Sequence, residues 1–107
     1  MKQTHISRAG RYAQIIMALY AVDDMNLTRV LSAYGIAKSL DMKPSTHVKK
    51  MCKDLEQLGY LQSMERLDFW GRVMTYYYLK TEVIDQLLKL SGSRDEHLKV
   101  VKSWFEQ

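Results

Sequence analysis

The segment Lys43–Leu61, "KPSTHVKKMCKDLEQLGYL", constrains this chain more than any other, because residues with narrow backbone options stand at both of its ends. Pro44 pre-sets its own φ for a first helical turn and forces Lys43 into extended geometry, with Ser45 or Thr46 available to the first amides. Gly59 suits the left-handed conformation that ends a helix. Between them, at about 100° per residue, Val48, Met51, Cys52, Leu55 and Leu58 fall within an arc of about 120° and predict a buried stripe. Thr46, Lys49, Lys50, Lys53 and Gln57 fall on the opposite side, with Asp54 and Glu56 on the flanks. One side of this helix is made for a core. The other is made of lysines.

The flanking sequence alternates between two periods. Ser7–Val22 carries Tyr12, Ile15, Ile16, Leu19 and Val22 at steps of three and four, a helix with Ser7 as its N-cap. "DDMN" (23–26) interrupts it, and "TRVL" (28–31) is short and β-branched, suited to a minor edge strand. Ser32 caps a second helix, Ala33–Leu40, with Ile36, Ala37 and Leu40 inward. After the third helix, "YLQSME" (60–65) and "RVMTYYYLK" (72–80) read as strands, and Gly71 in "RLDFWG" predicts a hairpin between them. "TEVIDQLLKL" (81–90) is a helix capped by Thr81. "SGS" (91–93) separates it from an amphipathic helix, "RDEHLKVVKSWFE", with Leu98, Val101, Trp104 and Phe105 on one side.

At 107 residues the chain is long enough to bury a core without disulfide or metal support. The single Cys52 has no partner for an intrachain disulfide and suits a reducing, cytoplasmic setting. The longest apolar run, "AQIIMALYAV", reaches about half the length of a bilayer span, so no membrane role is expected. Enzymatic chemistry finds no support. His5, His47 and His97 are scattered, none has metal-ligand spacing, and glycine-rich phosphate loops are absent. Asp23–Asp24 reads as a capping or solvated pair, and Cys52 lies on the core side of its helix. No catalytic residue, metal or cofactor is expected. The net charge of +4 is uneven: residues 1–80 carry 12 Lys and Arg against 7 Asp and Glu, which points to an anionic partner on one side.

The order helix, strand, helix, turn, helix, hairpin, helix, together with the pattern A-x-x-L-x-M-x-P-S-T-x-V-x-x-M-x-x-x-L-x-x-L-G-Y-L, resembles the winged helix-turn-helix domains of bacterial, archaeal and phage regulators of the MarR and PadR types. "YYYLKTEVIDQLL" looks like the family's closing strand and following helix, and the resemblance spans about residues 12–90. It implies a mainly α (α+β) fold, a two-stranded β-hairpin wing and additional C-terminal helices. The expected division is a winged-helix domain over 1–90 and a terminal helix over 91–107. Asp41 stands where the family usually has glycine, which points to a wider turn before the third helix.

The expected function is sequence-specific binding of double-stranded DNA by a transcription regulator. Helix 45–58 would enter the major groove, which admits one α-helix. Lys49, Lys50 and Lys53 would displace counterions from phosphates, and Ser45, Thr46 and Gln57 would reach base edges or backbone oxygens. Hairpin 60–80 would be the wing, with Arg66 and Arg72 at its tip suited to phosphate or a narrow minor groove. Arg8 and Arg11 are weaker candidates for flanking phosphates. Regulators of the resembled kind usually act as homodimers on two half-sites, and Leu98, Val101, Trp104 and Phe105 are the expected dimer surface. The competing reading is a winged-helix protein-interaction module, such as a phage-encoded inhibitor or adaptor, with Phe69, Trp70, Trp104 and Phe105 as anchors. Neither the operator nor any effector is legible.

Overall fold

The computed structural model describes residues 6–20 and 28–106. Its elements are α1 (Arg8–Leu19), β1 (Leu31–Ser32), α2 (Ala33–Ser39), α3 (Thr46–Gln57), β2 (Leu61–Leu67), β3 (Val73–Leu79), α4 (Thr81–Leu88) and α5 (Arg94–Ser103). His5, Val22 and the 23–26 break lie outside the described residues. The strands form one antiparallel sheet in the order β1-β3-β2. Leu31 opposes Tyr77 at one edge of β3, while Leu61↔Leu79 through Leu67↔Val73 close the hairpin at the other. This is the expected α+β winged helix-turn-helix. The edge strand lies at 31–32 rather than within 28–31, where pairing with Tyr76 and Tyr77 places it.

Serine caps set three helix starts. The Gly10 N–H donates to Ser7 Oγ (3.1 Å), the Gly35 N–H to Ser32 Oγ (3.1 Å) and the Glu96 N–H to Ser93 Oγ (3.2 Å). At α5 the Glu96 carboxylate answers by accepting from the Ser93 N–H, which completes a capping box. Two expected caps are absent. Ser45 occupies the N-cap of α3 without a side-chain bond, and Lys80 rather than Thr81 is the N-cap of α4.

The turn between α2 and α3 is tight, not wide. Asp41 takes the left-handed conformation at φ 57°, its N–H bonds to the Lys38 carbonyl (3.1 Å), and the Met42 N–H reaches back to the Ala37 carbonyl (2.8 Å). Those two bonds make a Schellman closure, usually built with glycine. Asp is among the few L-residues that visit this region routinely, so the turn forms without glycine. The same closure ends α3 at Gly59, with Tyr60 bonding back to the Leu55 carbonyl (2.9 Å). Replacing Asp41 with Gly removes the Cβ penalty, and we expect a gain of about 0.5–1 kcal/mol by urea denaturation, with binding properties unchanged.

The core forms around α1, which is buried continuously from Ile15 to Leu19 and at Tyr12 and Ala13. Ile36 and Ala37 of α2, four residues of α3, Leu61, Tyr77, Leu79, and Val83 and Leu87 of α4 join it. So does Val101 of α5, fully buried, with Leu98, Trp104 and Phe105 packed against the same cluster. The terminal helix beyond residue 91 thus packs on the same core. Helix α5 runs back along α1 and holds both of its ends. The Arg94 guanidinium donates to the carbonyls of Tyr20 (2.8 Å) and Met17 at the C-terminal end of α1, the Met17 carbonyl also accepting from the Tyr20 N–H (3.2 Å). Beyond the other end of α5, Phe105 meets Tyr12 edge-on at 5.2 Å and Trp104 stacks on Tyr60 at 6.0 Å. The stripe expected to face a second copy thus faces its own chain, because α1 offers it a continuous apolar surface. Deleting 94–107 should abolish cooperative unfolding rather than leave a folded monomer. Arg94→Ala alone should cost about 1–2 kcal/mol in urea. A truncated chain that unfolds as sharply as the full one would contradict this packing.

Candidate functional site

Burial divides α3 cleanly. Val48, Met51, Cys52 and Leu55 are inside, whereas Ser45, Thr46, Lys49, Lys50, Lys53 and Gln57 are all exposed. Leu58 does not join the stripe. It is 58% exposed: Leu58 keeps helical geometry and its N–H bonds to the Asp54 carbonyl (2.9 Å), but it stands at the edge of the stripe, where nothing among the described residues packs over it.

The two acidic residues of α3 are tied into the body. Asp54 accepts from the Tyr12 hydroxyl (3.2 Å), and Glu56 accepts from Ser63 Oγ on β2 (2.7 Å). Burial first, and then the Asp54 carboxylate, push the Tyr12 phenol up from its ordinary value. These bonds hold negative charge on the flanks of the helix and brace it against α1 and β2. The lysines are consequently not equivalent. Lys50 Nζ lies 3.6 Å from Asp54 on the α1 flank, beside Arg8 and Gln57. Among the described residues, Lys49 and Lys53 have no carboxylate within ion-pair distance. Lys49 lines a groove with Ser32, Tyr34, Thr75 and Val73, so the lysine side of α3 adjoins the hairpin and the start of α2. Arg11 is turned to Gln14 on its own helix (2.8 Å).

The hairpin tip is built on Asp68. Its carboxylate accepts from the Trp70 N–H (2.8 Å), the Arg72 N–H (2.8 Å) and Arg72 Nε (2.7 Å), while its own N–H donates to the Arg72 carbonyl (2.8 Å). Gly71, at φ 81°, supplies the left-handed step that lets the loop close. Arg72 is thus half of an ion pair and lies 5.5 Å from the centre of the Trp70 ring. It is a structural part of the tip as much as a free cation. Arg66 is exposed on β2, opposite Met74. Sequence reasoning missed the Asp68 clamp, although an Asp four residues before an Arg across a glycine turn is a signal for it.

The other sequence candidates resolve simply. Burial pushes the Cys52 thiol up to about 12, so it is an inert core group. Tyr77 points into the core and its phenol is likewise raised, by burial first. Tyr76 and Tyr78 are half-buried on the outer sheet face. Among the described residues no cluster of His, Cys, Asp or Glu is placed to hold a metal, and no helix is long and apolar enough to cross a membrane.

The Asp68 clamp gives a pH signature. The Arg72 N–H, with the Arg72 guanidinium and the Trp70 N–H, holds the carboxyl below its ordinary 3.8 and outweighs the opposing effect of desolvation. A depressed folded value means the tip's extra stability is present above that ordinary value and is lost as pH falls through the folded one. NMR titration of the Asp68 carboxyl carbon should show a midpoint below 3.8, with the Trp70 and Arg72 amide shifts moving together. A midpoint at or above 3.8 would refute the clamp.

No protein-family model and no curated protein matches this sequence. Among solved structures, a protein of Thermoplasma acidophilum described as a candidate transcriptional regulator superposes over 92% of this chain and 94% of its own, with TM-score 0.60 and 15% identity. A zinc-responsive MarR family member of Lactococcus lactis aligns over 99% of this chain and 75% of its own, with TM-score 0.46 and 18% identity. The first likeness is one of fold, and it extends over nearly the whole length of both chains.

Proposed function

We propose that this chain is a double-stranded DNA-binding transcription regulator that lays α3 in the major groove and uses the β2–β3 hairpin as its wing. The observation that carries the reading is the division of α3. Its apolar side is fully buried, both of its carboxylates are bonded to the body, and its exposed side presents Thr46, Lys49, Lys53 and Gln57. A solvated lysine face would not need its acidic neighbours drawn aside. Lys49 and Lys53 contact phosphates, Lys50 contributes from the flank while shared with Asp54, and Thr46 and Gln57 face the base edges. Ser45, whose hydroxyl is not used as a cap, stands at the exposed helix start, where a phosphate is favoured. No enzymatic step belongs to this reading, and the cytoplasm is where such a protein meets its DNA.

Lys49→Ala with Lys53→Ala should weaken binding to every duplex and flatten the dependence of log K on log salt by roughly 2 units, at about 0.9 per phosphate contact. Lys50→Ala, which also frees Asp54, should have a smaller effect on the slope. An unchanged slope in the double variant, with its circular dichroism intact, would refute the assignment.

Pairing of two copies on two half-sites belongs to the same reading, since one helix and one wing cover few base pairs. With Leu98, Val101, Trp104 and Phe105 packed against their own chain, the pairing we propose draws on other exposed apolar side chains, among them Leu88 of α4 and Val100 of α5. Light scattering should show a dimer at tens of micromolar or on a two-half-site duplex. A monomer in both conditions would refute it. One observation favours the protein-interaction reading: Phe69 and Trp70 are exposed at the hairpin tip. Trp104 and Phe105, its other anchors, are packed against the core.

A further inference from the structure

The most exposed large apolar side chains of the described residues converge on the wing tip. Phe69 is 92% and Trp70 75% exposed, and the Leu67↔Val73 pair behind them is exposed as well. Four features say what this tip meets. First, it is rigid: the three bonds to Asp68 fix the loop, so the rings are held in place before any partner arrives. Second, the rings are arranged in series. Phe69 stands edge-on to Trp70 (5.5 Å, 89°), and Trp70 rests against the Arg72 guanidinium, so the inner ring props the outer one.

Third, the tip's own charge is balanced, Glu65 and Asp68 against Arg66 and Arg72, so what it delivers is apolar surface rather than a phosphate clamp. Fourth, it is small and convex. Two aromatic rings bury about 150–250 Å² each, roughly half of the ~800 Å² per partner that a stable protein interface needs. They are well matched to one opened base step. The tip also belongs to the lysine surface, since Val73 at its base lines the same groove as Lys49.

We propose that Phe69 is a wedge that enters the minor groove beside the α3 site and partly unstacks one base step, with Trp70 as its prop. This inference rests on the DNA-binding reading above and adds DNA deformation to it. Apolar side chains inserted between base pairs kink a duplex, and pyrimidine–purine steps open most easily. The wing therefore contributes specificity through deformability, at a step where it makes no base-specific hydrogen bond.

The test uses the full chain and a duplex that it selects from a randomised pool, labelled at both ends for energy transfer. Binding should shorten the end-to-end distance and, in a Trp104→Phe background, quench the fluorescence of Trp70. Phe69→Ala should keep the fold and the salt slope, lose affinity by about tenfold as expected for one lost base–aromatic contact, and bind without bending. Phe69→Leu, still an apolar wedge, should keep most of the bend. A repeat selection with Phe69→Ala should lose any enrichment of TA or CA/TG steps on the wing side. Tight binding without bending, or equal bending by the Phe69→Ala variant, would overturn the wedge and leave the DNA reading standing. Failure of the unaltered chain to bind any duplex at low salt would overturn both.

Discussion

Burial of Val48, Met51, Cys52 and Leu55 decides which way α3 faces, and every other part of the candidate interface takes its position from that choice. An apolar stripe on a twelve-residue helix can be withdrawn from water in only one rotational setting. Once it is, Lys49 and Lys53 must point outward. Asp54 and Glu56 then come within reach of Tyr12 and Ser63, and those hydrogen bonds hold the setting against rotation in either direction. A packing constraint is thereby converted into an electrostatic one, a helix face with positive charge at its centre and negative charge at its edges.

The same helix sets the wing. The Schellman closure at Gly59 delivers the chain directly into β2, and the Ser63–Glu56 bond ties the first turns of the strand to α3. Sheet pairing extends the hairpin past the core, so that Leu67 and Val73 lie on the core-facing side of the sheet but beyond anything that covers them. At the far end Asp68 replaces the missing core by organising the loop with hydrogen bonds. The stabilising principle changes along the hairpin from apolar burial to a polar clamp. That change is why the tip can be both exposed and ordered.

The terminal helix serves the body rather than the interface. By seating its apolar stripe on α1 and bonding Arg94 to the end of that helix, it covers a surface that would otherwise need a partner.

Most of the fold was legible in the sequence because it follows from local rules. Period-3.6 stripes located the helices, Ser7 and Ser32 marked two starts, Gly59 and Gly71 marked two reversals, and the lysine side of α3 followed from the spacing of its apolar side. Asp41 was misread, since a sequence shows that glycine is absent from a left-handed position but not that aspartate will take its place. Leu58 was misread because periodicity places it at the edge of the stripe but cannot show whether a neighbour covers that edge. Lys50–Asp54 and Asp68–Arg72 are four residues apart and were open to a local reading that was not made. The partner of the α5 stripe, the bond from Tyr12 to Asp54 and the capture of the α1 end by Arg94 were decided only by tertiary structure. Each depends on which groups the fold brings within a few ångströms. Helical period and capping chemistry are properties of neighbouring residues, whereas the pairing of charges and the covering of apolar surface depend on distances through space.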